Sequence, residues 1–248
     1  MNQLKQDYPI FNKFNFKQPP VGVKYIFTKP EKIERLDKKL DLCEMPREAL
    51  KRGTPFYTDP DNYICNVGAH IVFGREISRV AESGQIGPAL EIFKEPHANR
   101  RVYDILPQIE PGTVNYTVFS LLDKLPFDPD LVLVFTDDTN QAEVLLRAMS
   151  YTTGEMWSSQ MTFVLSCAWI FAYPYLSGKV NYIAPDLCFS MNVKKTYPEC
   201  RQLISIPYDR LPIILQNLQE MAWVPTVYTD KRDELVKQAF DKLGITPH

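Results

Sequence analysis

The chain has 248 residues, 45% of them hydrophobic, which is enough to bury one sizeable core. Its net charge of −2 with 23% charged residues leaves neither the basic excess that draws a protein to nucleic acid nor an acidic tail. No window approaches the roughly 18 consecutive apolar residues of a membrane-spanning helix. The opening MNQLKQDYPIFNKF also lacks a basic flank followed by an apolar stretch, so a cytoplasmic protein with neither membrane nor nucleic acid as partner is expected.

In chain order, residues 1–30 read as an arm, a KQPP turn and a strand VGVKYIF. The segment PEKIERLDKKLDLCEMPREALKRG has helix formers with apolar positions at Ile33, Leu36, Leu40 and Cys43. It predicts a helix stopped by Gly53 with Cys43 facing inward. TPFYT predicts a short strand, and YICNVGAHIVFG an apolar element of undecided type. TVNYTVFSLL (113–122) and DLVLVFT (130–136) predict strands, the second buried on both faces because its apolar run is unbroken. TNQAEVLLRAMSYTTG follows as a helix capped by Asp137, Asp138 or Thr139 and stopped by Gly154, so a strand delivers the chain to a helix N-terminus. The run MTFVLSCAWIFAYPYL predicts a buried helix, GKVNYIAP and QLISIPY strands, and DRLPIILQNLQEMA a helix. DKRDELVKQAFDKLG predicts a last helix capped by Asp230 and ended by Gly244. Strands and helices mix without strict alternation. The expected fold is therefore α+β, a single domain over 1–248 with a mixed β-sheet flanked by helices and a C-terminal helical extension at 225–248.

Five cysteines, Cys43, Cys65, Cys167, Cys188 and Cys200, are an odd number, which argues against a disulfide framework. There is no C-x-x-C pair, so a shared metal site would have to be assembled from distant segments. The sequence also has no G-x-S-x-G elbow, H-E-x-x-H or P-loop.

Several segments, read together, carry a resemblance. These are VGVKYIF, LDLCEMPREALKRGTPFYTDPDNYICNVGAHIVFG, PGTVNYTVFSLLDKLPFDPDLVLVFTDDTNQAEVLLRAMSYTTG, SCAWIFAYPYLSGKVNYIAPDLCFS and ISIPYDRLPIILQNL. In that order, over about residues 20–222, the chain resembles domain of unknown function 169, a family of archaea and anaerobic bacteria with no established activity. The resemblance implies cysteines near the positions of Cys43, Cys65, Cys167 and Cys188, and a redox or cofactor-linked role in anaerobic metabolism.

Cys65 reads either as a thiolate ligand, with Gly68 letting backbone approach a bound group, or as a small buried hydrophobe. Cys167, within VLSCAWIF, suits packing or a buried soft-metal site, and Cys188, in the loop PDLCFSMN, is expected to be more accessible. If Cys65, Cys167 and Cys188 converge, their thiolates would hold an iron-sulfur cluster or zinc. His70 reads as a ligand or a hydrogen-bonded core residue, while His97 and the terminal His248 are weaker candidates. Arg100 and Arg101 read as an anion clamp or a solvated helix face. Thr139, Asn140 and Gln141 stand at the end of a buried strand, where open sheets bind ligands, and ordinary helix capping, which the helix requires in any case, is the other reading. Tyr173 and Lys179, in YPYLSGK, would line a cofactor cavity or pack. The function expected is therefore a metal, iron-sulfur or tetrapyrrole-like cofactor-binding protein with a redox or cofactor-handling role. The alternatives are a small-molecule binding or sensing module, or a structural partner in a larger complex, and a homo-oligomer is left open.

Overall fold

Apolar and β-branched runs bounded by proline, aspartate and glycine become the strands of one sheet. In the computed structural model, which describes residues 3–245, the strands are β1 Val21–Ile26, β2 Glu34–Arg35, β3 Phe56–Thr58, β4 Tyr116–Leu121, β5 Leu131–Thr136, β6 Asn181–Ile183 and β7 Gln202–Pro207. They lie in the order β2-β3-β4-β1-β5-β7-β6, with β2 parallel to β3 and every other neighbouring pair antiparallel. The helices are α1 Met45–Arg52, α2 Asn66–Phe73, α3 Arg79–Glu82, α4 Ile86–Ala89, α5 Pro96–Asp104, α6 Thr139–Ser150, α7 Cys167–Ser177, α8 Phe189–Lys194, α9 Leu211–Glu220 and α10 Arg232–Leu243. Together they form a single-domain α+β fold with a mixed sheet, as the sequence predicts. Among the described residues no helix is long and apolar enough to cross a membrane.

Strand β5 shows why the sheet has a core on each side. Successive side chains of a strand point to opposite faces, so Leu131, Leu133 and Phe135 enter one core and Val132 and Val134 the other. The first core packs under α1, α2, α7 and α8; the second packs under α6, α9 and a 3-10 turn at Tyr8–Phe14. Every residue of β5 is buried, as its unbroken apolar run predicts.

The predicted helix over residues 31–52 forms only in its last third. Glu34–Arg35 instead pairs alongside β3, the Leu36 N–H donates to Tyr57 O (2.8 Å), and the buried Asn62 amide donates to Leu36 O (2.8 Å) and Lys38 O (2.9 Å). Tertiary partners for the backbone therefore override the helix formers. Helix α1 starts late because Asp41 and Glu44 cap each other's backbone in a preceding 3-10 turn, Leu42–Glu44, and Pro46 favours a first turn. Cys43 is nevertheless buried, as the apolar stripe predicts.

YICNVGAHIVFG resolves into α2. The cap of α6 is Asp138, whose carboxylate accepts the Gln141 N–H at 2.9 Å. Helix α6 ends at Ser150, four residues before Gly154, which turns the chain at φ +64° while its N–H donates to Ser150 O. Gly244 ends α10 as predicted, but its cap is Lys231 rather than Asp230, and α10 has no buried residue.

Candidate functional site

Three helices begin with a cysteine, and the three meet. Cys65 is the N-cap of α2, Cys167 is the first residue of α7, and Cys188 is the N-cap of α8. With Cys43, from the 3-10 turn before α1, they line a single cavity of about 70 Å³, whose wall also includes Asp41, Leu165, Ser166, Ser190 and Met191. The three cysteines proposed from sequence thus converge. Cys43 joins them, although the metal-binding set read from sequence did not include it.

Local chemistry holds each thiol in place. Helix α2 reaches the Cys43 turn because residue 68 is glycine: a Cβ there would lie 2.8 Å from Leu42 Cβ. Gly68 therefore serves close packing of helix on turn, and this explains it without the bound group expected from sequence. Before α7 the chain makes a hook in which Leu165 holds a left-handed φ of +62°. The hook is closed by Ser166 Oγ donating to Thr162 O and by Trp169 Nε1 donating to Thr162 Oγ1 at 2.8 Å. A left-handed leucine is strained by about 1–2 kcal/mol, and that strain sits in the cavity wall. Phe189 N–H donates to Phe163 O at 2.8 Å, which ties the start of α8 to the same segment. The buried Tyr197 hydroxyl donates to Cys43 O and pins the fourth thiol.

Burial dominates the electrostatics. It pushes the Cys43 thiol up to about 12, with Asp41 and Glu44 adding to the rise and Lys194 opposing it. It also raises Cys65, but the Gly68 and Val67 N–H groups at the start of α2 pull the other way. Cys167 is raised well above the ordinary thiol value, by burial first and then by the other three cavity cysteines, against the Ala168 N–H. Cys43, Cys65 and Cys167 therefore resist ionisation unless a cation joins them, and N–H donors back Cys65 and Cys167, a combination whose chemistry suits a soft metal centre. The sulfurs border the cavity rather than meeting at a point: among the described residues no group of three or more His, Cys, Asp or Glu side chains is arranged to hold a metal ion. Cys188 is buried, against the accessibility expected of its loop. Cys200 is buried too and lies outside the cavity lining.

The other candidates lie elsewhere. Asn140 and Gln141 line a separate groove of about 490 Å³ with Phe14, Glu143, Trp223 and Tyr228. The Gln141 amide is occupied within the fold, accepting from Asp137 N–H (2.7 Å) and donating to Phe14 O (3.1 Å). Thr139 is exposed at the start of α6 and is not in that lining. Tyr173 packs its ring 5.8 Å from Trp169, and Lys179 is exposed just past the end of α7. The end of α7 lies beside Arg210, whose guanidinium donates to Gly178 O, near the Leu131 end of β5. Thr139 follows the opposite end of that strand. Thr139, Asn140, Gln141, Tyr173 and Lys179 therefore do not form one pocket, because α7 carries the last two away along the length of the sheet.

His70 hydrogen-bonds Arg75 O through Nδ1 at 2.8 Å, a structural use, and it is not in the cavity lining. Arg100 pairs with Asp104 on the exposed side of α5. His97 sits in an exposed pair with Glu95, and His248 lies outside the described residues.

A family model described as domain of unknown function 169, Uncharacterised ArCR, matches residues 10–217. The chain belongs to that family. The matched span of this domain of unknown function 169 member contains all four cavity cysteines, together with Asp41, Lys194 and Tyr197, and ends before α10 begins. No curated protein and no solved structure matches the chain.

Proposed function

We propose that the four-cysteine cavity binds an iron-sulfur cluster and that the protein works in electron transfer or cofactor handling in a reducing, cytoplasmic setting. The observation that carries this reading is the meeting of Cys43, Cys65, Cys167 and Cys188 around one cavity, three of them at helix starts. Size favours a cluster over its rivals. A water needs about 10–15 Å³ of such space, so a cavity of about 70 Å³ has room for a group several waters large. A single zinc ion, held at about 2.3 Å by each sulfur, would need the thiols drawn together. A tetrapyrrole belongs to the class of ligand that takes roughly 300 Å³ or more. When bound, a cluster would supply a one-electron redox couple, and this chain's part would be to hold the thiolates, keep water out and direct backbone N–H groups at the sulfurs.

The test is anoxic purification with iron and sulfide analysis and a visible spectrum, repeated for Cys65→Ser and Cys200→Ser. Stoichiometric iron and sulfide lost with Cys65→Ser and kept with Cys200→Ser is the expected result. A colourless, iron-free protein after reconstitution with iron and sulfide would overturn the reading.

A second reading, a small-molecule binding or sensing module, draws support from the 490 Å³ groove, whose aromatic wall includes Phe14 packed 4.2 Å from Trp223. It predicts ligand-dependent thermal stabilisation that Trp223→Ala removes and Cys65→Ser leaves in place.

A further inference from the structure

We propose that Lys194 and Asp41 form a charge pair that sets how readily the centre held by the four cysteines accepts an electron, an inference that rests on the iron-sulfur reading above. Lys194 is the last residue of α8, the helix that Cys188 begins. Its ammonium donates to the Asp41 carboxylate and, at 3.2 Å, to Glu44 Oε2, so it spans about 150 positions of sequence to reach the two residues that flank Leu42–Cys43. Asp41 is buried and is itself part of the cavity wall. Asp41 therefore borders the thiol site, and α8, which Cys188 caps at one end, brings from its other end the cation that pairs with that carboxylate.

Charge added to the cavity meets the Asp41 carboxylate in its wall and, paired to that carboxylate, the Lys194 ammonium. An electron arriving from an external one-electron carrier protein makes the site one unit more negative, forms or breaks no bond and takes up no proton. Lys194 stabilises that added charge and Asp41 opposes it, in surroundings where burial weakens screening. The Lys194 side chain is 37% exposed, so its effect is tempered by water.

Removing each charge in turn separates this role from simple bracing, since loss of bracing would disturb the site in one direction for both variants. The experiment is an anoxic spectroelectrochemical titration of the reconstituted full chain alongside Lys194→Gln, Lys194→Arg and Asp41→Asn, with iron content measured for each. Asparagine keeps the capping ability of residue 41. Lys194→Gln is expected to lower the reduced-to-oxidised ratio at fixed potential about tenfold, equivalent to about 59 mV for one electron. Asp41→Asn should shift it the other way, and Lys194→Arg should match the wild type. Shifts of the same sign for Lys194→Gln and Asp41→Asn, or no shift in either, would overturn the proposal while leaving the cluster in place. A wild type that binds no iron removes the reading beneath it. Should Lys194→Gln fail to retain iron, Asp41→Asn and Lys194→Arg decide, and an unshifted Asp41→Asn or a displaced Lys194→Arg counts against the pair.

Discussion

Cys43 and Cys200 are both held by burial at about 12, against an ordinary thiol value of 9.0, yet only Cys43 lines the cavity. The shift has a sign that can be measured. Between pH 9 and about 12 the unfolded chain has released these protons while the folded chain keeps them, so the unfolded state binds fewer protons and stability falls as pH rises. Below pH 9 the contribution is fully present. Metal-free protein should therefore lose stability to urea steadily from pH 9 to 11, and Cys43→Ala and Cys200→Ala should each flatten that slope, whatever they do to the value at pH 8. Slopes unchanged from wild type would mean that these thiols do not stay protonated in the fold. Metal changes the comparison at one residue only. A ligated Cys43 gives up its proton on binding, so affinity should climb with pH across the same range while Cys200 goes on titrating. Sequence alone exposed half of this difference. Cys43 is buried as its inward position required, but the helix through Leu36 and Leu40 on which that spacing rested does not form, and nothing near it in the chain distinguishes a cavity thiol from a packing one.

At the scale of elements, the site is a set of helix starts, and their approach depends on small residues and short loops. Helix α2 comes near the Cys43 turn only because Gly68 leaves room for Leu42 and for the Tyr63 ring, whose Cδ1 would lie 3.4 Å from an added Cβ. Gly68→Ala should push α2 outward, cost about 1–3 kcal/mol by overpacking and reduce iron retention, because Cys65 moves with the helix. Gly112→Ala is the matched control. Its φ of +81° makes alanine strained, at about 1 kcal/mol, but no atom lies within 4 Å of the added carbon, so iron content should be unchanged. Equal iron in both variants, measured beside urea unfolding, would detach the α2 approach from the site. The elements that were legible in sequence are those whose pattern leaves one solution. The unbroken LVLVF of β5 must be buried on both faces, and Asp138 ahead of an amphipathic run must cap. Residues 31–40 were misread as helix because their backbone partners, Tyr57 and Asn62, lie more than twenty positions away and outweigh local propensity.

Across the whole molecule, the sheet order decides what meets. Cys43 and Cys65 precede β4, whereas Cys167 and Cys188 flank β6, at the opposite edge of the sheet from β2. The two pairs come together because α1, α2, α7 and α8 all cover the same face and share one core. No spacing rule for cysteine ligands encodes such a meeting, so the convergence of Cys65, Cys167 and Cys188 was a condition in the sequence and a placement only in the fold. The same topology says which part of the chain the site can spare. Helix α10 has no buried residue, and its principal neighbour is the short 3-10 turn Thr226–Tyr228. Trp223, in contrast, packs on Phe14, and Arg147 holds the carbonyls of Ala222 and Trp223 at 2.8 and 2.7 Å, so the chain is anchored to the second core before residue 225. Ending the chain after Thr229 removes α10 and leaves both cores and the cysteine cavity intact. The shortened protein should unfold within about 0.5 kcal/mol of the full chain, as changes away from buried features do, and bind the same amount of iron. A drop of several kcal/mol in urea unfolding, or loss of iron, would instead make α10 part of the structure that holds the cavity together.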